Sequence, residues 1–320
     1  MRRNSRFSEF DSRRDAARLV LAPLSALVMF ACSSEQTETP ARAVIPEVAV
    51  RYDGLAAPEH VLYDAERDRY LVSNVDGEPA AADGKGFISI LSPSGHVHEL
   101  RWIESGRDGV ELNAPKGLAI AHGSLYVADI DVVRRFDATT GAHQADIPVP
   151  GSTFLNGLSA TAEGKLYLSD SGPPRGTLDA IGTEAIYVID GDQVKRVADG
   201  DLGRPMGLSA TDDGLLVASF GEAQVLALSA DGRERRSSAL PAGGLAGVVS
   251  VDDTVFAASW QASAVFVGKL GGEFKVALED QGAPSDLGFD TKRQRLLVPH
   301  FTQDSVTVFQ LQGTGSNDTD

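Results

Sequence analysis

Six short strings in the chain start on Pro or Leu and then place one variable residue ahead of a Gly, His or Asp: PEHV, PKGL, LNGL, PMGL, LAGV and PSDL. The variable residues are Glu59, Lys116, Asn156, Met206, Ala246 and Ser285. A carboxylate, an ammonium and an amide at equivalent places could form a buried ion pair, hold a cation through oxygen, or meet the polar end of a small ligand. Downstream of each string a second residue closes a β-rich run, giving Asn74, Asp129, Asp170, Phe220, Trp260 and His300. His300 titrates near neutral pH and is a candidate general base for activating water, with Asp170 as the other catalytic candidate. An Asp at a strand end also turns the chain by accepting from local N–H groups, and an aromatic there also packs between repeats. Both readings stand beside ligand contact for Asp129, Asp170 and Trp260.

These residues need a repeated scaffold to converge. From Val48 onward short β-type runs alternate with Gly, Asp, Asn and Pro, and no segment carries apolar residues at sustained helical spacing. Each string is followed by a second strand, such as LYVAD, LYLSD or LLVASF, then by a third, such as FISILS, AIYVID or SVTVFQ. A unit of this size repeated six times predicts an all-β, six-bladed β-propeller over residues 47–312. VAVRYDGL, ahead of the first unit, is expected to complete the last blade beside SVTVFQL and so remove a free edge. The six variable residues then face a central channel and the second set rings its mouth. Lys116, Asn156, Asn74, Asp129 and Trp260 become candidate ligand contacts. Long insertions, NVDGEPAAADGKG and SGPPRGTLDAIGTE, are expected on the binding face.

The first 31 residues differ from the rest: six arginines precede LVLAPLSALVMFA, an apolar run too short to span a bilayer. Cys32 follows directly. It is the only cysteine, so no intrachain disulfide can form. The arrangement resembles a bacterial lipoprotein signal, which implies lipidation of Cys32 and residence on the periplasmic side of the outer membrane; an ordinary secretory leader, with a secreted or periplasmic soluble product, is the alternative. Residues 32–46 read as a tether and 313–320 as a flexible polar tail. A net charge of −16 with no basic cluster beyond the leader argues against nucleic acid as a partner. The chain is expected to act as a monomer.

PEHVLYD, LNAPKGLAI, LYVADIDVVRRFD, PGSTFLNGL, GRPMGL, LPAGGLAGV and PSDLGFD together resemble the gluconolactonase, regucalcin and LRE-like propellers. That resemblance implies a metal-dependent hydrolase of sugar lactones, with a divalent cation (Ca, Mg, Mn or Zn) on the axis. It implies Glu59 as a metal ligand and Asn156 as a substrate contact or part of a partial metal site. The family's ligand asparagine falls on Met206 and its ligand aspartate on Ala246, and a further Asp of the relatives falls on Gly157. A hard cation takes about six oxygens, which Met206 and Ala246 do not supply, while Lys116 would compete for Glu59. Three functions follow: a binding module for a small polar ligand with a degraded metal site and little or no catalysis, a cation-dependent lactonase, or a protein-interaction propeller of the NHL type. No nucleophile elbow, zinc-hydrolase helix, phosphate loop or EF-hand spacing occurs.

Overall fold

A computed structural model describes residues 46–172, 183–233 and 235–311. The leader, Cys32, most of the tether, the centre of the second insertion and the polar tail lie outside the described residues. The described chain forms six four-stranded antiparallel sheets, the blades of a propeller. The closing strand is β1 (Glu47–Asp53). Blade 1 is β2 (Pro58–Asp64), β3 (Arg69–Asn74), β4 (Phe87–Ser92) and β5 (His96–Glu104). Blade 2 is β6 (Pro115–Ala121), β7 (Ser124–Asp129), β8 (Val132–Asp137) and β9 (His143–Pro148). Blade 3 is β10 (Leu155–Ala160), β11 (Leu166–Asp170), β12 (Ala185–Asp190) and β13 (Gln193–Asp199). Blade 4 is β14 (Pro205–Thr211), β15 (Gly214–Ser219), β16 (Gln224–Ser229) and β17 (Arg235–Ala239). Blade 5 is β18 (Leu245–Val251), β19 (Thr254–Ser259), β20 (Ala264–Gly268) and β21 (Lys275–Leu278). Blade 6 is β22 (Gly288–Asp290), β23 (Arg295–His300) and β24 (Ser305–Gln310), joined by β1.

Strand position explains residue type. A second strand is covered on both faces by neighbouring blades, so β15 is a continuous apolar run, GLLVAS, buried throughout. An outermost strand meets water, so β13 reads QVKRVAD and is largely exposed. The apolar clusters lie in the seams between blades. Leu71, Ile88 and Ile103 of blade 1 pack on Leu118, Leu125, Val127 and Phe136 of blade 2. The last seam joins the ends of the chain: Tyr52, Val306 and Val308 pack against Val61, Tyr70 and Val72.

At the axis the innermost strands come close. Ladder register shifts just after Pro58, Pro115, Leu155, Pro205 and Leu245, and such a bulge re-aims the adjoining side chain. The next residue inward is Gly in four blades. A Cβ at Gly157 would lie 2.3 Å from the Met206 carbonyl oxygen, and one at Gly207 would lie 2.3 Å from Asp286 Oδ1. Only His60 and Asp286 bring side chains to this level, and both are buried. The Asp286 N–H donates to Glu59 O at 2.8 Å, which ties blade 6 to blade 1.

Candidate functional site

A cavity of about 160 Å³ opens over the innermost strands, lined by Glu59, Lys116, Asn156 and Met206. Ala246 and Ser285 share the same ring but are fully buried and do not line it. Around this ring stand Phe154, Phe220, Trp260 and Phe301, with Val75, Pro79 and Arg204 between them. Trp260 packs edge-on to Phe220 at 5.9 Å and tilted to Phe301 at 5.4 Å. A larger space of about 790 Å³ lies at the opposite ends of β14 and β18, among their turn residues, and none of the axial residues line it.

Burial sets the electrostatics. Loss of water raises the Glu59 carboxyl well above the usual carboxylate range, partly offset by the charge of Lys116. The same loss lowers Lys116, against the pull of Glu59 and Asp129. The two groups feel each other's charge without an ion-pair contact among the described residues. Lys116 Nζ instead donates to the Ala114 carbonyl at 2.9 Å and stands 4.5 Å from the Phe154 ring centre. Two donors belonging to residues that line the cavity, Asn156 Nδ2 and Trp260 Nε1, are themselves buried with no hydrogen-bond partner. The Ser285 hydroxyl lies near enough to Glu59 to favour its ionised form slightly, yet makes no hydrogen bond of ordinary geometry.

Asn74, Asp129, Asp170 and His300 stand elsewhere, and register shows why. Each pairs directly with the first residue of its blade or of that blade's anchor: Asn74 with Pro58, Asp129 with Pro115, Asp170 with Leu155 and His300 with Pro284. The equivalents in blades 4 and 5 are Ser219 and Ser259, not Phe220 and Trp260. A shift of one residue reverses the facing of a side chain, so the strand-end set drawn from the sequence combines two faces. Val75, Phe220, Trp260 and Phe301, one residue beyond the strand ends, line the cavity.

The strand-end residues grip the loop that enters their own blade. Asn74 Oδ1 accepts from Ala56 N–H at 3.0 Å. Asp129 accepts from Asn113 and Ala114 N–H and from Arg134 Nε, the last at 2.8 Å. Asp170 accepts from Thr153 and Phe154 N–H at 3.0 and 2.9 Å. Ser219 and Ser259 donate to Leu202 O and Gly243 O. His300 bonds Gln281 O through Nδ1 at 2.6 Å and Thr307 Oγ1 through Nε2 at 2.9 Å, and burial lowers its pKa. With both ring nitrogens engaged and the residue outside the cavity wall, His300 is not placed to activate a bound water there.

Of the residues that line the cavity, Glu59, Lys116, Asn156 and Trp260 are candidates that the sequence singles out. Phe154, Arg204 and Phe301 are not. Phe154 and Arg204 directly precede the anchors Leu155 and Pro205, and Phe301 directly follows a strand end. A search of the positions flanking each repeat element would have found them.

No known protein family and no curated protein matches the chain by sequence. Solved structures do match. A gluconolactonase from Xanthomonas campestris superposes with a TM-score of 0.63 at 19% identity, covering 82% of this chain and 88% of that one. Virginiamycin B lyase from Staphylococcus aureus gives 0.58 at 12% identity, covering 82% and 99%. A chain of the nidogen/laminin complex gives 0.54 at 16%, covering 70% and 86%. At these identities the likeness is one of architecture, and it agrees with the six closed blades: the chain is a six-bladed β-propeller.

Proposed function

We propose that the chain is an exported binding module that holds a small molecule in its axial cavity, with an oxygen acceptor at the polar end and an apolar body among the aromatic rings. The observation that carries this is that two residues lining one cavity, Asn156 and Trp260, each hold a buried side-chain donor, Nδ2 and Nε1, without a hydrogen-bond partner. Leaving a buried donor unpaired costs roughly 1–3 kcal/mol, a penalty that a ligand oxygen would relieve. The cavity is small beside the roughly 300–1,000 Å³ of drug-sized sites, which points to a compact ligand. Four aromatic walls suit a flat or cyclic body better than a fully hydroxylated sugar.

The residues present do not fit a tightly held hard cation. Glu59 is a single carboxylate at the ring, Met206 offers a thioether, Ala246 offers nothing, and Lys116 adds an amine. Among the described residues no cluster of three His, Cys, Asp or Glu could hold a metal. In this reading lactone hydrolysis through a bound cation is weak or absent.

The test uses the purified full chain and δ-valerolactone as probe. Trp260 emission should shift on titration, and Asn156→Leu should weaken the response roughly tenfold, the loss of one buried hydrogen bond. Calcium-dependent hydrolysis of D-glucono-1,5-lactone or δ-valerolactone would overturn the reading. Export through Cys32 is tested separately: Cys32→Ser should abolish fatty-acid incorporation and release the protein from the membrane fraction.

A further inference from the structure

Between the loops of blades 4 and 5 lies a groove of about 630 Å³, and Phe220 and Trp260 line both it and the axial cavity. Ala223, with Pro241 and Ala242 of the short loop entering blade 5, adds small apolar walls. Apart from the indole N–H of Trp260, Gln261 carries its one polar side chain among the described residues, and no charged side chain of those residues lines it, in a chain of net charge −16. The glycines that complete the wall have their polar groups engaged. Gly244 N–H donates to Phe220 O at 3.1 Å, Trp260 N–H to Gly244 O at 2.9 Å and Gly221 N–H to Gly203 O at 2.8 Å, while Gly243 O accepts from the Ser259 hydroxyl at 2.7 Å. The strand-end clamps fit this pattern: Asp129 and Asp170 in blades 2 and 3 give way to Ser219 and Ser259 in blades 4 and 5, so the entry loops on this side of the ring are held without charge.

We propose that this groove is a tail subsite: the ligand is an amphiphile whose oxygen-bearing head sits in the axial cavity and whose unbranched aliphatic tail runs past Phe220 and Trp260 between blades 4 and 5. This rests on the axial cavity being the ligand site. Asn156, which lines that cavity, is 1% exposed and its Nδ2 has no partner, so the polar end belongs there. The cavity holds about 160 Å³, room for a compact head, and the adjoining groove holds the remainder of a longer molecule.

The lining selects the tail's chemistry. Surface without open hydrogen-bonding groups gains from apolar cover and penalises polar cover that it cannot satisfy. A polypeptide segment would bring N–H and C=O groups to glycines whose own groups are already bonded, and a sugar would set several hydroxyls against one glutamine. An aliphatic chain brings neither, and the rings of Phe220 and Trp260 give it a large area to cover. Ala223 and Gln261 are exposed, so the groove opens to water at that side and admits tails of different length.

The experiment titrates the purified full chain by calorimetry with δ-valerolactone, δ-octalactone and δ-decalactone, which share a ring and differ in tail. Affinity should rise by up to about fourfold per methylene, and by at least roughly thirtyfold from the first probe to the last. The heat-capacity change of binding should grow more negative along the series, as apolar burial requires. Ala223→Glu, which sets a charge in the groove from an exposed position, should flatten the series, so that this variant binds δ-decalactone no more tightly than δ-valerolactone; the isosteric Gln261→Glu should act in the same direction. A flat series in the wild-type chain, with δ-valerolactone still bound, overturns the tail subsite and leaves the axial site standing; a second copy of the chain seated in the groove would give that flat series together with a dimer in sedimentation. A steep series that persists in both variants overturns the groove as the tail's place. No binding of any of the three overturns both readings.

Discussion

Asp286 sits on the axis with no hydrogen bond of ordinary geometry to either carboxylate oxygen, the Leu287 and Val248 N–H groups lying close by, and stands beside His60, whose Nδ1 is 3.8 Å from Oδ2. That imidazole nitrogen already accepts from the Leu118 N–H at 2.8 Å, so it cannot also donate to Asp286. Burial, with the charge of Glu59 adding to it and the Leu287 and Val248 N–H groups only partly offsetting it, raises the Asp286 carboxyl well above its ordinary value. A folded-state pKa above the unfolded one means that stability falls as pH rises through that window. His60 has the opposite sign: burial lowers it to about 3, so stability is lost as pH falls from the ordinary histidine range toward that value. Asp286→Asn should therefore stabilise the protein at pH 8 by about 1–3 kcal/mol, the scale of an unsatisfied buried polar group. It should also lose stability more steeply than wild type on acidification to pH 4, because the His60 term is no longer opposed. Urea unfolding at pH 4, 6 and 8 measures both; equal stability of the two proteins at pH 8 would contradict the assignment.

At the scale of elements, the second strand of every blade ends on a residue that clamps the incoming loop, and in blades 1, 4, 5 and 6 the next residue lines the cavity. The two jobs separate cleanly by mutation. Asp129→Ala takes the acceptor away from the Asn113 and Ala114 N–H groups and from Arg134 Nε, while Arg134 keeps Asp146 and Glu111, so it should destabilise by roughly 1–3 kcal/mol for each buried donor left unpaired. Trp260→Leu should leave unfolding changed far less than the emission-independent affinity for the probe, measured by calorimetry. Gly157→Asp, which introduces the residue expected from the lactonase resemblance, should destabilise by more than the roughly 1–3 kcal/mol of ordinary overpacking. Its Cβ would meet the Met206 carbonyl at 2.3 Å, and backbone cannot step aside as a side chain can. Wild-type stability in that variant would show that blades 3 and 4 are less closely apposed than described.

For the whole molecule, closure is the decisive feature. β1 pairs along its length with β24, from Glu47 opposite Gln310 to Asp53 opposite Ser305. The same seam carries Tyr70 OH donating to Asp290 at 2.7 Å and Arg293 bridging Asp68 and Asp290. Removing residues 1–54 takes away the fourth strand of blade 6 and exposes the edge of β24, so the product should unfold at lower denaturant and associate through that edge. Size-exclusion chromatography with a urea melt checks this; a monomer of unchanged midpoint would show that β1 contributes little.

The sequence by itself determined the blade count, the closing strand and the axial places of Glu59, Lys116, Asn156 and Met206, because each follows from a repeat whose anchors are local and whose side chains alternate with period two. Tertiary structure decided which residues reach one cavity. Asn74, Asp129, Asp170 and His300 differ from Phe220 and Trp260 by one position of register, and a bulge or a slip of one residue is invisible in strings that align equally well either way. Phe154 and Phe301 belong to different blades and lie far apart in the chain. The burial that shifts Glu59, Lys116 and Asp286 belongs to the same category, since desolvation depends on how closely six strands converge on one axis and not on any neighbour in the chain.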